Sequence, residues 1–199
     1  MTHRPTISAS IILWNGGEFV EELMATLTAN LQFTSHEIII VDNGSIDGSA
    51  DYIEQHYPDT TIIRNGKNLG FAKAVNIGIE AASGEYLYIL NQDLRFPEGA
   101  TEKLLARLKP EPDLGMIGPK FIYFGGGTQR SVRAFPSYRH VFYRALFLDR
   151  LNPHHPKFAE WRMGHFDHES ERYVDQPMGA VMLVPRGVVA KVGLMDESF

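Results

Sequence analysis

The chain contains no cysteine. Disulfides, thiolate nucleophiles and cysteine-ligated metal centres are therefore excluded, and the composition suits a reducing compartment. It also lacks an excess of positive charge. Nineteen Lys and Arg stand against 24 Asp and Glu, for a formal net charge of −5, which argues against nucleic acid as the main partner. No apolar run approaches the roughly 20 residues needed to cross a bilayer. Met1-Thr2-His3-Arg4-Pro5 has none of the apolar core of a signal peptide. A cytoplasmic location is expected, with peripheral contact at the inner face of the plasma membrane left open. Two nucleotide signatures are missing as well. There is no GxxxxGK[ST] phosphate cradle, and no GxGxxG follows the first apolar run, which weighs against a dinucleotide-dependent oxidoreductase.

What is present is regular alternation. Of the 199 residues, 44% are hydrophobic and 22% charged, enough for one domain with a sizeable core. Ile7 to Leu13 reads as a buried strand, and Val20, Leu23, Leu27 and Leu31 then fall at helical spacing. Ile38 to Val41 is a second strand, followed by a helix from Ser49 to Tyr57. Thr61 to Arg64 is a third strand, followed by a helix carrying Phe71, Val75, Ile79 and Ala82. Tyr86 to Leu90 is a fourth, and a helix begins near Pro97 with Leu104, Leu105 and Leu108. Strands alternating with helices predict βαβ units, a mainly parallel sheet and all strand ends on one rim. Beyond Lys109-Pro110 the regularity fails. Leu114 to Phe124 reads as a further strand, Gly125 to Gly127 as a flexible loop, and 130–150 as a stretch rich in arginine and aromatics. Residues 152–171 read as mostly irregular, Val174 to Pro185 as strand and Arg186 to Val192 as a short helix.

Three strands end in polar groups: Trp14-Asn15-Gly16, Asp42-Asn43-Gly44-Ser45 and Asn91-Gln92-Asp93. Ligands of open α/β sheets bind outside the carboxyl ends of the strands, so these groups can face one ligand. Asp42 is placed to accept hydrogen bonds from a ribose or base edge, whereas Asp47 and Ser49 read equally well as caps of the next helix. The loop Asn65-Gly66-Lys67-Asn68-Leu69-Gly70 precedes a helix, and its amides and Lys67 could meet a phosphate. Hard divalent cations are commonly held by one or two carboxylates plus substrate phosphates, which makes Asp93 the metal candidate and Asn91 its helper. His154, His155, His165 and His168 match no zinc spacing and read as solvated loop residues. Arg130, Arg133, Arg139 and Arg144 read as a solvated face or as partners of a diphosphate or anionic acceptor.

Four segments carry a family resemblance: Ile38 to Ser49 (IIIVDNGSIDGS), Arg64 to Ile79 (RNGKNLGFAKAVNIGI), Gly84 to Asp93 (GEYLYILNQD) and Val174 to Pro185 (VDQPMGAVMLVP). In content and order they resemble family 2 glycosyltransferases, nearest the bacterial rhamnosyltransferase-like branch of cell-surface polysaccharide synthesis. The resemblance implies a GT-A, Rossmann-like α/β fold: a mainly parallel sheet flanked by helices in three α/β/α layers. It implies a single domain over 1–199, with a nucleotide-binding half at 1–110 and an incomplete acceptor-binding half at 111–199. Asn15 and Asp42 would then contact base and ribose, with Trp14 and Asn43 nearby. Asn68, Gly70 and Lys73 would lie near the nucleotide, and Gly179 and Ala180 would border donor sugar and acceptor. Asn91-Gln92-Asp93 takes the place of the DxD motif, with Asp93 the ligand of Mg²⁺ or Mn²⁺ and Asn in place of the first Asp.

The activity so implied is inverting transfer of a sugar, rhamnose being the first candidate, from a nucleoside diphosphate donor to a glycan or lipid-linked acceptor. The family's general base belongs to an acidic motif expected beyond Phe199, so the chain reads as a fragment whose turnover alone is doubtful. Asp196 and Glu197 lie too early to replace it. A non-catalytic nucleotide-sugar-binding module is the alternative. A sugar nucleotidyltransferase ranks last, because Trp14-Asn15-Gly16-Gly17 bears no positive charge.

Overall fold

The computed structural model describes residues 4–198. Its elements in chain order begin with β1 (Ile7–Leu13), α1 (Phe19–Leu31), β2 (His36–Asp42), α2 (Ser49–His56), β3 (Thr61–Arg64), α3 (Phe71–Ala81), β4 (Tyr86–Asn91) and α4 (Ala100–Leu108). Then follow β5 (Phe121–Ile122), β6 (Thr128–Gln129), β7 (Val132–Arg133), α5 (Tyr138–Ala145), α6 (Leu148–Leu151), β8 (Gln176–Pro177), β9 (Val181–Pro185) and α7 (Arg186–Val192). Two compact units result. One runs to Ile117 and resumes at Gly179; the other is Gly118–Met178.

The first unit holds a five-stranded sheet in the order β3-β2-β1-β4-β9. Strands β1 to β4 pair in parallel and β9 joins β4 antiparallel. All seven residues of β1 are buried, as a central parallel strand covered on both faces requires. On one face Ile12, Ile39, Val41, Leu87, Ile89, Met182 and Val184 pack with Ala74, Val75 and Ile79 of α3, and Val188 and Val189 of α7 lean against the same cluster. A Cβ on Gly78 would collide with Ser10, so a small hydroxyl facing a glycine sets how closely α3 approaches the sheet. The opposite strand residues, among them Ile7, Ile11, Leu13, Ile40, Tyr88 and Leu90, are equally buried. Helix α1 buries Val20, Leu23, Met24, Leu27 and Leu31 and touches α2 and α4. The layering is α/β/α.

The strand expected over Leu114 to Phe124 is not continuous. Only Phe121–Ile122 pairs, with β6, and Ile117 makes an isolated bridge to Leu183. Gly115, Gly118 and Pro119 interrupt the run, and proline cannot donate to a ladder. Val174 to Pro185 likewise divides into β8, paired with β7, and β9, paired with β4.

In the second unit, α5 forms where only arginines and aromatics were evident. Ser137 and His140 close a capping box at its start. Its Tyr138, Val141 and Phe142 remain exposed, as do Phe147 and Leu151 after it.

Candidate functional site

The strand order reverses at β1: the chain moves outward through β2 and β3, then returns to β1's other side as β4. That reversal is the topological switch point, where open α/β sheets bind ligands. It is bridged by one side chain. Gln92 donates from Nε2 to the Trp14 carbonyl at 2.8 Å and accepts the Trp14 N–H on Oε1 at 2.5 Å. The residues after β1 and after β4 are thus fixed to each other across 78 positions of sequence.

Asp42 and Asn91 flank this point. In register Leu13 faces Asp42 and Ile12 faces Asn91, so their backbones stand roughly 10 Å apart, two strand spacings. Asn91 donates its N–H to the Ala180 carbonyl at 2.9 Å, which draws the start of β9 to the same rim. Gly179 lies beside Phe71, the first residue of α3; a Cβ built there would stand 3.9 Å from the Phe71 ring.

Two residues after Asn91, Asp93 is exposed, and among the described residues no donor or cation pairs with its carboxylate. The backbone beneath it is anchored. Phe96 is buried with its ring 5.9 Å from that of Tyr88. A solvated carboxylate on an anchored turn offers one hard oxygen ligand. Among the described residues no group of three or more His, Asp or Glu could hold a metal ion. The donor set therefore fits a cation that takes its other ligands from a substrate phosphate, and does not fit a resident, fully protein-ligated metal.

The nucleotide-facing candidates are joined by side-chain bonds. Asn15 adopts a left-handed backbone (φ 51°), donates its N–H to Ser45 Oγ at 3.0 Å and accepts the Ile46 N–H on Oδ1 at 2.9 Å. Asp42 is 3% exposed, and its Oδ1 accepts the Ser45 N–H at 2.9 Å. Asn43 is used up within the protein. It donates to Asn68 Oδ1 and to the Gly70 carbonyl, and accepts from Asn65 Nδ2 and the Leu69 N–H. It shapes the 65–70 loop from beneath. Gly44 (φ 85°) completes that contact, because a Cβ there would lie 2.7 to 2.9 Å from the Lys67 backbone. Trp14 is 51% exposed, a flat apolar surface at the switch point.

Other predicted residues have different partners. Asp47 accepts from the Ser49 N–H and Oγ and from the Gly17 N–H. Burial pushes its carboxyl up, but these bonds outweigh that and hold it below the usual range. Its work is to tie the loop after β2 to the loop after β1. Lys73, on the first turn of α3, pairs with Glu197 at 3.4 Å. Glu197 also accepts from Asn76, which further brackets the Met195 backbone, and Asp196 accepts the Ser198 N–H. Both C-terminal carboxylates are thereby spent on structure. The role of Gln92 was not legible, since a glutamine between two better ligands carries no pattern of its own.

This architecture, a three-layer α/β/α sheet with polar groups gathered at its switch point, is that of the GT-A glycosyltransferases. The family model "Glycosyl transferase family 2" matches residues 8–170, and the chain belongs to that family. It is 27% identical to the N-acetylglucosaminyl-diphospho-decaprenol L-rhamnosyltransferase of Mycobacterium tuberculosis, over 94% of this chain and 64% of the relative. The chain thus spans just under two thirds of that protein's length. Among solved structures, S. aureus TarS 1-349 superposes with a TM-score of 0.63 at 15% identity, covering 97% of this chain and 51% of that one. The mannosyltransferase PcManGT from Pyrobaculum calidifontis, solved with GDP-Man and Mn²⁺, gives 0.61 at 17% identity, covering 99% and 49%. At these identities the two structures speak to the fold.

Proposed function

We propose that the carboxyl rim of the sheet binds a nucleoside diphosphate sugar, and that the protein is an inverting glycosyltransferase of cell-surface polysaccharide synthesis. The observation that carries this is the pairing, on either side of the switch point, of a buried carboxylate at Asp42 with a solvated one at Asp93 that has no partner among the described residues. Buried, Asp42 suits directional recognition of ribose hydroxyls or a base edge, with Asn15 and the exposed Trp14 beside it. Asn43 holds Asn68 and Gly70 in place near the nucleotide, and Lys73 opens the helix that follows. Asp93, helped by Asn91, would hold Mg²⁺ or Mn²⁺, and a bound cation supplies positive charge against the leaving diphosphate. Gly179 and Ala180 leave room for the donor sugar and the acceptor.

Chemically, an acceptor hydroxyl attacks the anomeric carbon as the bond to the diphosphate oxygen breaks on the opposite face, and the hydroxyl proton passes to a general base. Asp196 and Glu197 are not assigned that role, being bound to Ser198 and to Asn76 and Lys73. Residues 1–110 are read as the nucleotide-binding half and 111–199 as part of the acceptor-binding half. The name of the mycobacterial relative favours rhamnose as the sugar and a polyprenyl diphosphate glycan as the acceptor.

Contact with a membrane surface fits the second unit. No helix among the described residues is long and apolar enough to cross a bilayer. Yet Tyr138, Val141, Phe142 and Phe147 are exposed beside Arg139, Arg144 and Arg150, the mixture that seats a helix in an anionic interface. Cosedimentation with phosphatidylglycerol vesicles, weakened in Phe142→Glu, tests this; no cosedimentation of the wild type removes it.

The deciding experiment for the main reading is a thermal-shift and calorimetry panel of UDP-, dTDP- and GDP-sugars with and without Mn²⁺. One nucleotide should bind in a Mn²⁺-dependent way, and Asp93→Ala should abolish that dependence. Equal affinity with and without the metal in the wild type would defeat the assignment.

A further inference from the structure

We propose that Thr26 and Asn30, on helix α1, are positioning residues for Asp93: they clamp the turn that carries it and so set where its carboxylate can meet a cation. The proposal rests on the reading of Asp93 as the metal ligand given above.

From Gln92 to Gly99 the chain has neither helix nor strand, so no ladder fixes Asp93 beyond the end of β4. Two pins do. One is Gln92, tied to the Trp14 backbone on the side of β1. The other lies three residues past Asp93, at Phe96, whose buried ring meets that of Tyr88. The backbone of Phe96 is held by α1. Its N–H donates to Thr26 Oγ1 at 3.2 Å, and its carbonyl accepts from Asn30 Nδ2 at a longer 3.5 Å. Residues 93–95 are therefore strung between two fixed points.

The sequence of α1 is only partly explained by the core. Val20, Leu23, Leu27 and Leu31 are buried, but Glu22, Thr26 and Asn30 recur at every fourth position and so share one side of the helix. Thr and Asn are indifferent helix formers whose side chains compete for backbone partners. Here those side chains connect α1 to the turn. The Thr26 hydroxyl donates to the Glu22 carbonyl at 2.7 Å, which leaves its lone pairs for the Phe96 N–H. Asn30 is 6% exposed. Its Nδ2 also donates to the Thr26 carbonyl at 3.0 Å, and its Oδ1 accepts the Thr101 N–H at 3.4 Å. Thr101 is the second residue of α4, whose N-cap Gly99 provides no side-chain bond, so Asn30 takes up one of that helix's open N–H groups. Glu22 adds an ion pair to Arg95 at 3.1 Å, a weak one because both side chains are well exposed. Among the described residues this polar ladder bonds to none of the groups assigned to the nucleotide. Its effect on a ligand must pass through the turn and Asp93.

The test joins two measurements on the full chain for wild type, Thr26→Val and Thr26→Ser. Valine keeps the shape of threonine and removes the acceptor; serine keeps the acceptor. Hydrogen exchange of the Phe96 amide, followed by ¹⁵N NMR, reads the clamp itself without metal or nucleotide. Calorimetry with UDP, dTDP and GDP, in Mn²⁺ and in EDTA, reads the gain in affinity that the metal gives. In Thr26→Val the Phe96 amide should exchange faster, and the gain from Mn²⁺ should fall about tenfold, the lower end of what supporting contacts around a metal site are worth. Thr26→Ser should restore both. A role confined to stability would lower the thermal midpoint of Thr26→Val and leave the gain from Mn²⁺ as in wild type; that result, or unchanged Phe96 exchange in Thr26→Val, overturns the proposal while the donor reading stands. No gain from Mn²⁺ in the wild type overturns the donor reading itself, and the positioning role falls with it.

Discussion

Glu37 and Asp93 stand at opposite ends of one mainly parallel sheet and live in opposite circumstances. Glu37, near the start of β2, accepts from Ser8 Oγ at 2.5 Å, from the Ser83 N–H at 2.6 Å and from Ser83 Oγ at 2.9 Å. Ser8 Oγ in turn accepts the Gly84 N–H, and Arg186 donates to the Gly84 and Ala82 carbonyls. The amino rim is closed by its own hydrogen bonds. At the carboxyl rim Asp93 faces water, with no partner among the described residues. A carboxylate surrounded by donors has been placed for stability; one left open at a switch point is available to something that arrives from solution. The contrast is a physical ground, independent of any relative, for proposing the carboxyl rim as the ligand-binding end.

Three substitutions probe this contrast, and the largest effect belongs to the open end. Asp93→Ala should eliminate metal-dependent nucleotide binding while leaving the thermal midpoint unchanged, since no intramolecular bond is lost. A drop in midpoint comparable to that of a core mutant would show that Asp93 holds the fold. Asp42→Ala comes next. It should weaken nucleoside diphosphate binding by about 1–3 kcal/mol, the usual range for a lost buried polar partner. It also frees the Ser45 N–H, so some stability should go with it. Unchanged affinity by calorimetry would return Asp42 to a purely structural role.

Glu37→Gln should do the reverse, costing about 1–2 kcal/mol of stability with no change in nucleotide affinity. Burial pushes the Glu37 carboxyl up, but the bonds from Ser8 and Ser83 outweigh it and the net shift is downward. A depressed folded value means that the contribution is fully present above the ordinary value of 4.5 and is lost as pH falls through the lowered one. Urea unfolding of wild type and Glu37→Gln should therefore differ most near neutrality and converge as the pH falls through the lowered value of the Glu37 carboxyl. Curves that stay parallel to low pH would contradict this.

Much of this was legible in the sequence, for a physical reason. Strands β1, β2 and β4 are buried over most or all of their length and read as largely apolar runs, and α1 and α3 show helical spacing because each buries one stripe. Asp42 and the Asn91-Gln92-Asp93 triplet stood out because they terminate those runs. The second unit was far less legible. Helix α5 leaves Tyr138, Val141 and Phe142 in solvent, so its apolar residues mark no core-facing stripe. The 114–124 segment was apolar enough for a strand, yet its pairing depends on Leu183, 66 residues beyond Ile117. His168 resembled any loop histidine, because its burial is decided by tertiary contacts alone.

The smallest expected effect tests the bridge between β1 and β4. Gln92→Ala removes both bonds to the Trp14 backbone. Because Trp14 is half exposed, water can replace them, and the cost to stability should be only about 0.5–1.5 kcal/mol. The consequence for binding is positional: Trp14 and Asp93 would lose their common tether, and nucleotide affinity should fall severalfold although Gln92 itself is not assigned a contact with the ligand. Gln92→Glu separates the two halves of the bridge. A carboxylate can still accept the Trp14 N–H but cannot donate to the Trp14 carbonyl, so its affinity should lie between wild type and Gln92→Ala. If both variants bind as wild type does, the switch point is rigid without its bridge, and the order at the rim must be credited to the Asn43 network and the Asn91–Ala180 bond instead.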